Sequence, residues 1–344
     1  MQTEITEPGP LLLPSGKLAQ IGWARQPLLD CNLAQANFYP GRLMQSYRLK
    51  RWDYYAVFTP LHFFSATIAD LGYAGNIFVY LLNFSTGELH EEGFVVPLSR
   101  DVQLPRNSTE GDASFKDQHA NLSFQRAPGQ RVISVSWPDF NQGRGINAEI
   151  KLTTHPEHES MNIVIPIGKK RFYYNHKINC LPAEGFLQYG DHLEEINPEE
   201  CLGSLDWGRG IWEYSSFWNW ASASGYLPDG RTIGLNLGSG FGDTSRATEN
   251  CLIINGHLHK LDQVTFNYSA QDYYAPWIFT DSEDHLQLEF IPFKERLAKT
   301  NLLVIFSEVH QMFGYFTGWV ETDSGERIEI ENLIGFAEEH RARW

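Results

Sequence analysis

The chain of 344 residues carries 27 Lys and Arg against 42 Asp and Glu, a formal net charge of −15. A summed field of that sign repels phosphate backbones and anionic membrane surfaces, and no long basic run offsets it, so both are poor partners. Hydrophobic residues at 42% and charged ones at 20% describe a globular protein, and 14% aromatic with 29 glycines leans toward sheets and turns. The length exceeds what one core usually supports, which predicts two domains or one large all-β body.

The first residues, "MQTEITEPGPLLLPSGK", lack the basic start and apolar run of a secretory signal. The longest apolar runs, such as "FVYLL", fall far short of the roughly 20 residues a membrane helix needs. The expectation is a cytoplasmic protein with no integral membrane segment. Cys31, Cys180, Cys201 and Cys251 are far apart and form no C-x-x-C pair, so they read as buried thiols and not as a zinc or redox site.

Period-two segments bounded by turn signals then recur along the chain. "RWDYYAVF" is an aromatic strand, "FVYLLNF" leads into "STGE", "RVISVSWP" follows "APGQ", and "SMNIVIPI" comes next. Residues 211–226 read as one strand, followed by "RTIGLNL". "CLIINGHLHKL" folds on an Asn255-Gly256 pair suited to a type I′ hairpin. "LQLEFIPF", "NLLVIFSEVHQMFGYFTGWVE" and "RIEIENLIGFAEE" complete an antiparallel meander. Helical signals are confined to "DCNLAQANF", "NPEECLGSL" after an Asn197 cap, and the tail "AEEHRARW". About sixteen short strands with little helix fit two eight-stranded barrels or two large sandwiches in tandem. The polar stretch 188–203 is the best break, which predicts an N-terminal unit 1–200 and a C-terminal unit 201–344.

The stretch "LDWGRGIWEYSSFWNW" concentrates the candidate chemistry. In a strand over 211–226, Trp212, Tyr214, Trp218 and Trp220 share one face. Such rows are usually core, and the alternative is a ring-lined pocket for a flat or greasy ligand. Asp206 stands between glycines and beside Trp207 and Arg209, where an indole wall favours a proton donor; the plainer reading is a surface Asp206/Arg209 pair. Glu308 and His310 share a strand face with Val304, Phe306 and Met312, an ionisable pair that is costly unless paired or used. Glu249 and Asn250 either point into a barrel mouth or cap a loop, and Asn236 faces solvent or pocket. Asp53 and Tyr54, with His62 nearby, form a third polar cluster whose structural reading comes first. His257 and His259 lack a third metal ligand, "GSGFGD" lacks the lysine and helix of a phosphate loop, and no G-x-S-x-G elbow occurs.

The block "YYNHKINCLPAEGFLQYG…LGSLDWGRGIWEYSSFWNWASASGYLPDGRTIGLNLGSGFGD…ATENCLIINGHLHKL" resembles the bacterial family of unknown function numbered 2804, and the likeness runs from "RWDYYAVFTP" to "ENLIGFAEEHRARW". More distantly, the course from paired aromatics through L-P-A-x-G to a glycine-led aspartate, W-x-W and D-G is similar to the AttH and carotenoid 1,2-hydratase group and related fungal pericyclases. That resemblance implies two lipocalin-like (calycin) antiparallel β-barrels in tandem, in agreement with the strand count. It also implies that Asp206, at the position of the group's W-x-D-[HR]-x-W/F-G aspartate, lies in a ligand pocket. Trp207 replaces the basic neighbour of that motif, so Arg209 is the candidate substitute.

The leading expectation is an enzyme acting on an apolar small molecule by cofactor-free acid/base chemistry, a hydratase, isomerase or cyclase. Asp206 would give or relay a proton and Arg209, Glu308 or His310 would tune it. Trp207, Trp212, Trp218 and Trp220 would wall the cavity, with Asn236, Glu249, Asn250, Asp53 and Tyr54 as further ligand contacts. The alternatives are a carrier of a lipid or isoprenoid, and a carbohydrate-active protein using Asp206, Glu213, Glu249 and Glu308.

Overall fold

The computed structural model describes residues 2–35, 37–38, 41–302 and 305–343, with residues 42, 43 and 302 described by backbone only. Nearly all of its regular secondary structure is antiparallel strand, gathered into two large curled sheets, each a half-barrel. The first runs Leu89–Pro97, Ala74–Asn83, His62–Asp70, Leu49–Phe58, Leu202–Ile211, Arg171–Tyr189, Ile146–Thr153, Gln130–Trp137, Asn121–Ala127 and Ala113–Lys116. The second runs His257–Lys260, Cys251–Ile254, Thr232–Ser239, Ser215–Tyr226, Arg327–Arg343, Ile305–Glu321, Leu286–Leu302, Trp277–Asp281 and Val264–Asn267. The Asn255-Gly256 hairpin forms as expected, with φ of 48° and 84° at its two central residues.

The period-two patterning fills three layers of core. In strand Leu49–Phe58, Tyr55 and Val57 point into the first half-barrel, while Tyr54, Ala56 and Phe58 point out of it. Outward residues normally meet water, but here they meet the second sheet: Phe63 and Tyr80 of the first pack on Phe313 and Phe336 of the second. A separate cluster of Trp23, Ile163, Ile165, Tyr173, Trp212 and Ile253 closes the seam elsewhere. The second half-barrel has its own interior of Leu235, Leu237, Trp277, Phe290, Met312 and Phe316. Strands apolar on both faces follow from this stacking, and the clean apolar/polar alternation of a solvated sheet is lost.

Several expectations change. The chain does not run as one strand over 211–226: it leaves the first sheet at Ile211 and enters the second at Ser215. Since strand Leu202–Ile211 is hydrogen-bonded within the first sheet, a division of the chain by sheet falls at 212–214, beyond the expected 200. The tail expected as helix is the end of strand Arg327–Arg343, where Phe336, Glu338 and His340 alternate with Ala337 and Glu339 across the two faces. "NPEECLGSL" makes a turn capped by Asn197 and then a strand from Leu202, and "DCNLAQANF" shortens to a 3-10 turn at Leu33–Gln35. The four cysteines are free and buried. No described helix is long and apolar enough to cross a membrane.

Candidate functional site

A cavity of about 520 Å³ lies in the seam between the two sheets. That size suits a small organic ligand. The strand register builds its floor as rows of side chains. Across the first sheet Lys177, Asp206, Tyr54, Thr67, Phe78 and Gly93 are successive partners, all on the outward face. Across the second, Arg296, Gln311, Glu338, Trp220 and Gly238 are successive partners and face them. Neighbouring rows add Trp52 from the first sheet and Trp218 and His340 from the second.

Two glycines admit the walls. A Cβ at Gly208 would stand 1.9 Å from the Trp52 ring, and one at Gly238 would stand 2.1 Å from Glu249 Oε1. The glycines of "DWGRG" and "LGSG" are therefore seats for an indole and a carboxylate, not phosphate-loop turns. Trp212, in the crossing between sheets, packs edge-on against Trp52, Trp218 and Phe241 at 5.3, 5.4 and 5.0 Å between ring centroids.

Lys177 is the centre of charge. Its Nζ lies 3.2 Å from Asp206 Oδ1 and 3.6 Å from Glu249 Oε2, and 3.9 Å from the centroid of the Trp220 ring. Asn175 Nδ2 donates to Asp206 Oδ1 at 2.5 Å. Burial works against the lysine's charge, but Asp206 and Glu249 outweigh it and hold the ammonium above its usual pKa. Burial, reinforced by Asp206, pushes the Glu249 carboxyl up against the opposing pull of Lys177. Glu338, only 6% exposed, is pushed up to about 7 by burial, although Trp218 Nε1 donates to it at 3.2 Å and Arg296 and Lys177 pull it down. Gln311 Nε2 donates to its other oxygen at 3.2 Å, Tyr80 OH donates to Gln311 Oε1 at 3.0 Å, and the Tyr54 and Tyr80 hydroxyls are 2.9 Å apart. His340 is held near 3 by burial, so it is neutral, and its Nε2 meets Ser307 Oγ at 2.9 Å. Chemically, the site sets a carboxyl poised to titrate near neutrality beside an ion-paired carboxylate, under a roof of indoles.

The family model of DUF2804, a domain of unknown function, matches residues 2–344. The chain belongs to this family. No curated protein matches the sequence. Among solved structures, an AttH-type protein of Nitrosomonas europaea is similar at 14% identity, with 85% of this chain and 92% of that one covered and a TM-score of 0.51. Kievitone hydratase of Nectria haematococca aligns at 13% identity over 85% of this chain and 88% of its own, with a TM-score of 0.44. The likeness to the AttH-type protein establishes the calycin-like architecture of this DUF2804 chain.

Of the residues singled out in the sequence, Asp206, Trp212, Trp218, Trp220, Glu249 and Tyr54 line the cavity together. Asn236 stands behind it, accepting from Trp220 Nε1 at 2.8 Å and donating to the Glu249 carbonyl at 2.7 Å. Asn250 holds the adjoining loop, its Oδ1 accepting from Gly238 N at 2.6 Å. Arg209 and Trp207 are not neighbours of the Asp206 side chain, because alternate residues of one strand project to opposite faces. Both lie inside the first half-barrel, where Arg209 pairs with Asp53 at 2.9 Å and stacks on Trp207 at 4.2 Å. Asp206 therefore looks into the seam between the half-barrels and not into a barrel interior.

Glu308 and His310 occupy the opposite face of strand Ile305–Glu321 from the cavity-lining Val309 and Gln311. His310 Nδ1 meets Glu295 at 2.7 Å, its Nε2 meets Glu308 at 3.0 Å, and Tyr273 stacks on its ring at 4.1 Å. The structure thus separates this pair from Asp206; Val304, named with them, lies outside the described residues. The residues that sequence reasoning missed are Lys177, Asn175, Glu338, Gln311, Arg296 and Trp52. Lys177 had a readable signal, a lysine in the middle of the strand-like stretch "YYNHKIN", at the same parity as Asn175. Glu338 had none, since "AEEHRARW" looks like a charged helical tail.

Proposed function

We propose that this DUF2804 protein is an enzyme that binds an apolar, ring-bearing small molecule in the seam cavity and transforms it by acid/base chemistry of the hydration, isomerisation or cyclisation type. One observation carries the reading: a buried carboxyl that titrates near 7 faces an ion-paired carboxylate across an indole-walled cavity. A proton donor works best when its pKa lies near the working pH. Glu338 gives its proton to a substrate double bond or oxygen, and the positive charge that develops faces the Trp218 and Trp220 rings. The Asp206 carboxylate then takes a proton from an adjacent carbon in isomerisation or cyclisation, or from an attacking water in hydration. The proton lost by one carboxyl is gained by the other, and exchange with solvent resets the pair. Lys177 keeps Asp206 matched in charge and is a positioning residue, as is Gln311 for Glu338.

The test begins with a metabolite extract incubated with wild-type protein, Glu338→Gln and Asp206→Asn, followed by mass spectrometry. The expected result is depletion of one apolar species by wild type, with a product of equal mass or one water heavier or lighter, and loss of that conversion in both variants. All three proteins should still quench their tryptophan fluorescence with the neutral probe N-phenyl-1-naphthylamine. Binding of the probe without any conversion that depends on Glu338 would make the protein a carrier and overturn the enzymatic reading.

A further inference from the structure

Away from the acid and the base, the same two rows of side chains carry a second polar pair. In the first sheet Thr67 stands two strands beyond Asp206, and in the second Arg296 stands two strands beyond Glu338. With strands about 4.8 Å apart, each lies roughly 10 Å along its row from the carboxyl group. They share one end of the cavity: the Arg296 guanidinium is 5.4 Å from the centroid of the Phe78 ring, and Phe78 is the register partner of Thr67. Both carry hydrogen-bond donors left over from the protein's own contacts. Thr67 is 3% exposed and its Oγ1 has no partner among the described residues. One χ1 step turns that hydroxyl toward the chamber. Arg296, 7% exposed, gives Nε and Nη2 to the two oxygens of Glu91. Its Nη1 carries two N–H groups and meets only Gln311 Oε1, at 3.5 Å, an oxygen that already accepts from Tyr80 OH at 3.0 Å.

A buried hydroxyl or N–H without an acceptor costs free energy that a ligand recovers by supplying one. A guanidinium only donates, and a threonine hydroxyl can donate to the same atom, so the group complementary to both is an acceptor. The Glu91 carboxylate already matches the charge of Arg296, which makes a neutral acceptor the better complement than an anion. We propose that the substrate of the seam cavity carries a carbonyl oxygen remote from its reacting carbon, held by Thr67 Oγ1 and Arg296 Nη1 while the reacting carbon lies between Asp206 and Glu338. Thr67 and Arg296 touch the far end of the substrate and set its specificity and its position. The proposal rests on the acid/base reading of this cavity, narrows the substrate class to carbonyl-bearing apolar molecules such as ketones and lactones, and holds with Glu338 protonated, as that reading requires.

The test uses 4-acetylbiphenyl and its hydrocarbon counterpart 4-isopropenylbiphenyl, in which a methylene replaces the oxygen, each displacing N-phenyl-1-naphthylamine from the intact protein. The ratio of ketone to hydrocarbon affinity is taken within each protein, so a general change in the cavity cancels. The expected result is a ratio that falls about fivefold from wild type to Thr67→Val and is kept in Thr67→Ser, because one hydrogen bond is lost in the first and remade in the second. In wild type the infrared carbonyl stretch of bound, isotope-labelled 4-acetylbiphenyl should lie below its position in hexane, as donors on the oxygen require, and this measurement needs no variant to fold. A ketone that fails to displace the probe, a ratio unchanged in Thr67→Val, or a bound carbonyl that absorbs as it does in hexane overturns the inference and leaves the acid/base reading to its own test. Binding of none of the three compounds overturns both.

Discussion

Replacing Glu338 by glutamine removes one titration and keeps the side chain's shape, while turning one of the two oxygens that accept from Trp218 and Gln311 into a donor. In the folded protein burial raises this carboxyl from 4.5 to about 7, whereas in the unfolded chain it returns to the ordinary value. With the folded pKa above the unfolded one, the folded state holds the proton longer. Its stability is therefore greatest below about pH 4.5 and falls as pH rises through the window to about 7, then levels. The rise from 4.5 to about 7, at about 1.36 kcal/mol for each tenfold change in proton affinity, comes to about 3 kcal/mol, most of it lost between about pH 5 and about pH 8. The Glu338→Gln variant would have no such slope. Urea unfolding of both proteins across that range should show the variant gaining on wild type by nearly this amount, on top of a constant offset from the altered bond to Gln311. A difference that stays constant with pH would show that Glu338 ionises as an ordinary glutamate, and its role as the acid would fall with it.

Lys177→Met should destabilise by about 3–5 kcal/mol, because it strands Asp206 and Glu249 beside each other without their cation, and adding Asp206→Asn should restore part of the loss; thermal melts measure both. Gly208→Ala forces a Cβ into the Trp52 ring and should cost roughly 1–3 kcal/mol while weakening N-phenyl-1-naphthylamine binding, because the displaced indole enters the cavity. Arg209→Met should also cost about 3–5 kcal/mol, by leaving Asp53 buried and unpaired, yet the folded fraction should bind the probe as wild type does. Impaired probe binding in Arg209→Met would contradict the separation of the two faces.

What the sequence determined by itself is whatever depends on near neighbours along the chain. Alternation and turn residues made the all-β class, the Asn255-Gly256 hairpin and the shared face of Trp218 and Trp220 legible, and glycines flanking Asp206 marked a strand where other groups approach closely. Parity along one strand even contained the separation of Asp206 from Arg209, since residues three apart lie on opposite faces. Tertiary structure alone decided which face meets what. Lys177 and Glu338 are 161 positions apart in sequence, and they reach one cavity only because two curled sheets pack back to back with complementary rows. The same packing sends Glu308 and His310 to the far side of their strand from that cavity. Sheet-to-sheet stacking is set by the summed fit of many outward side chains, and no local pattern records which partner a face will find.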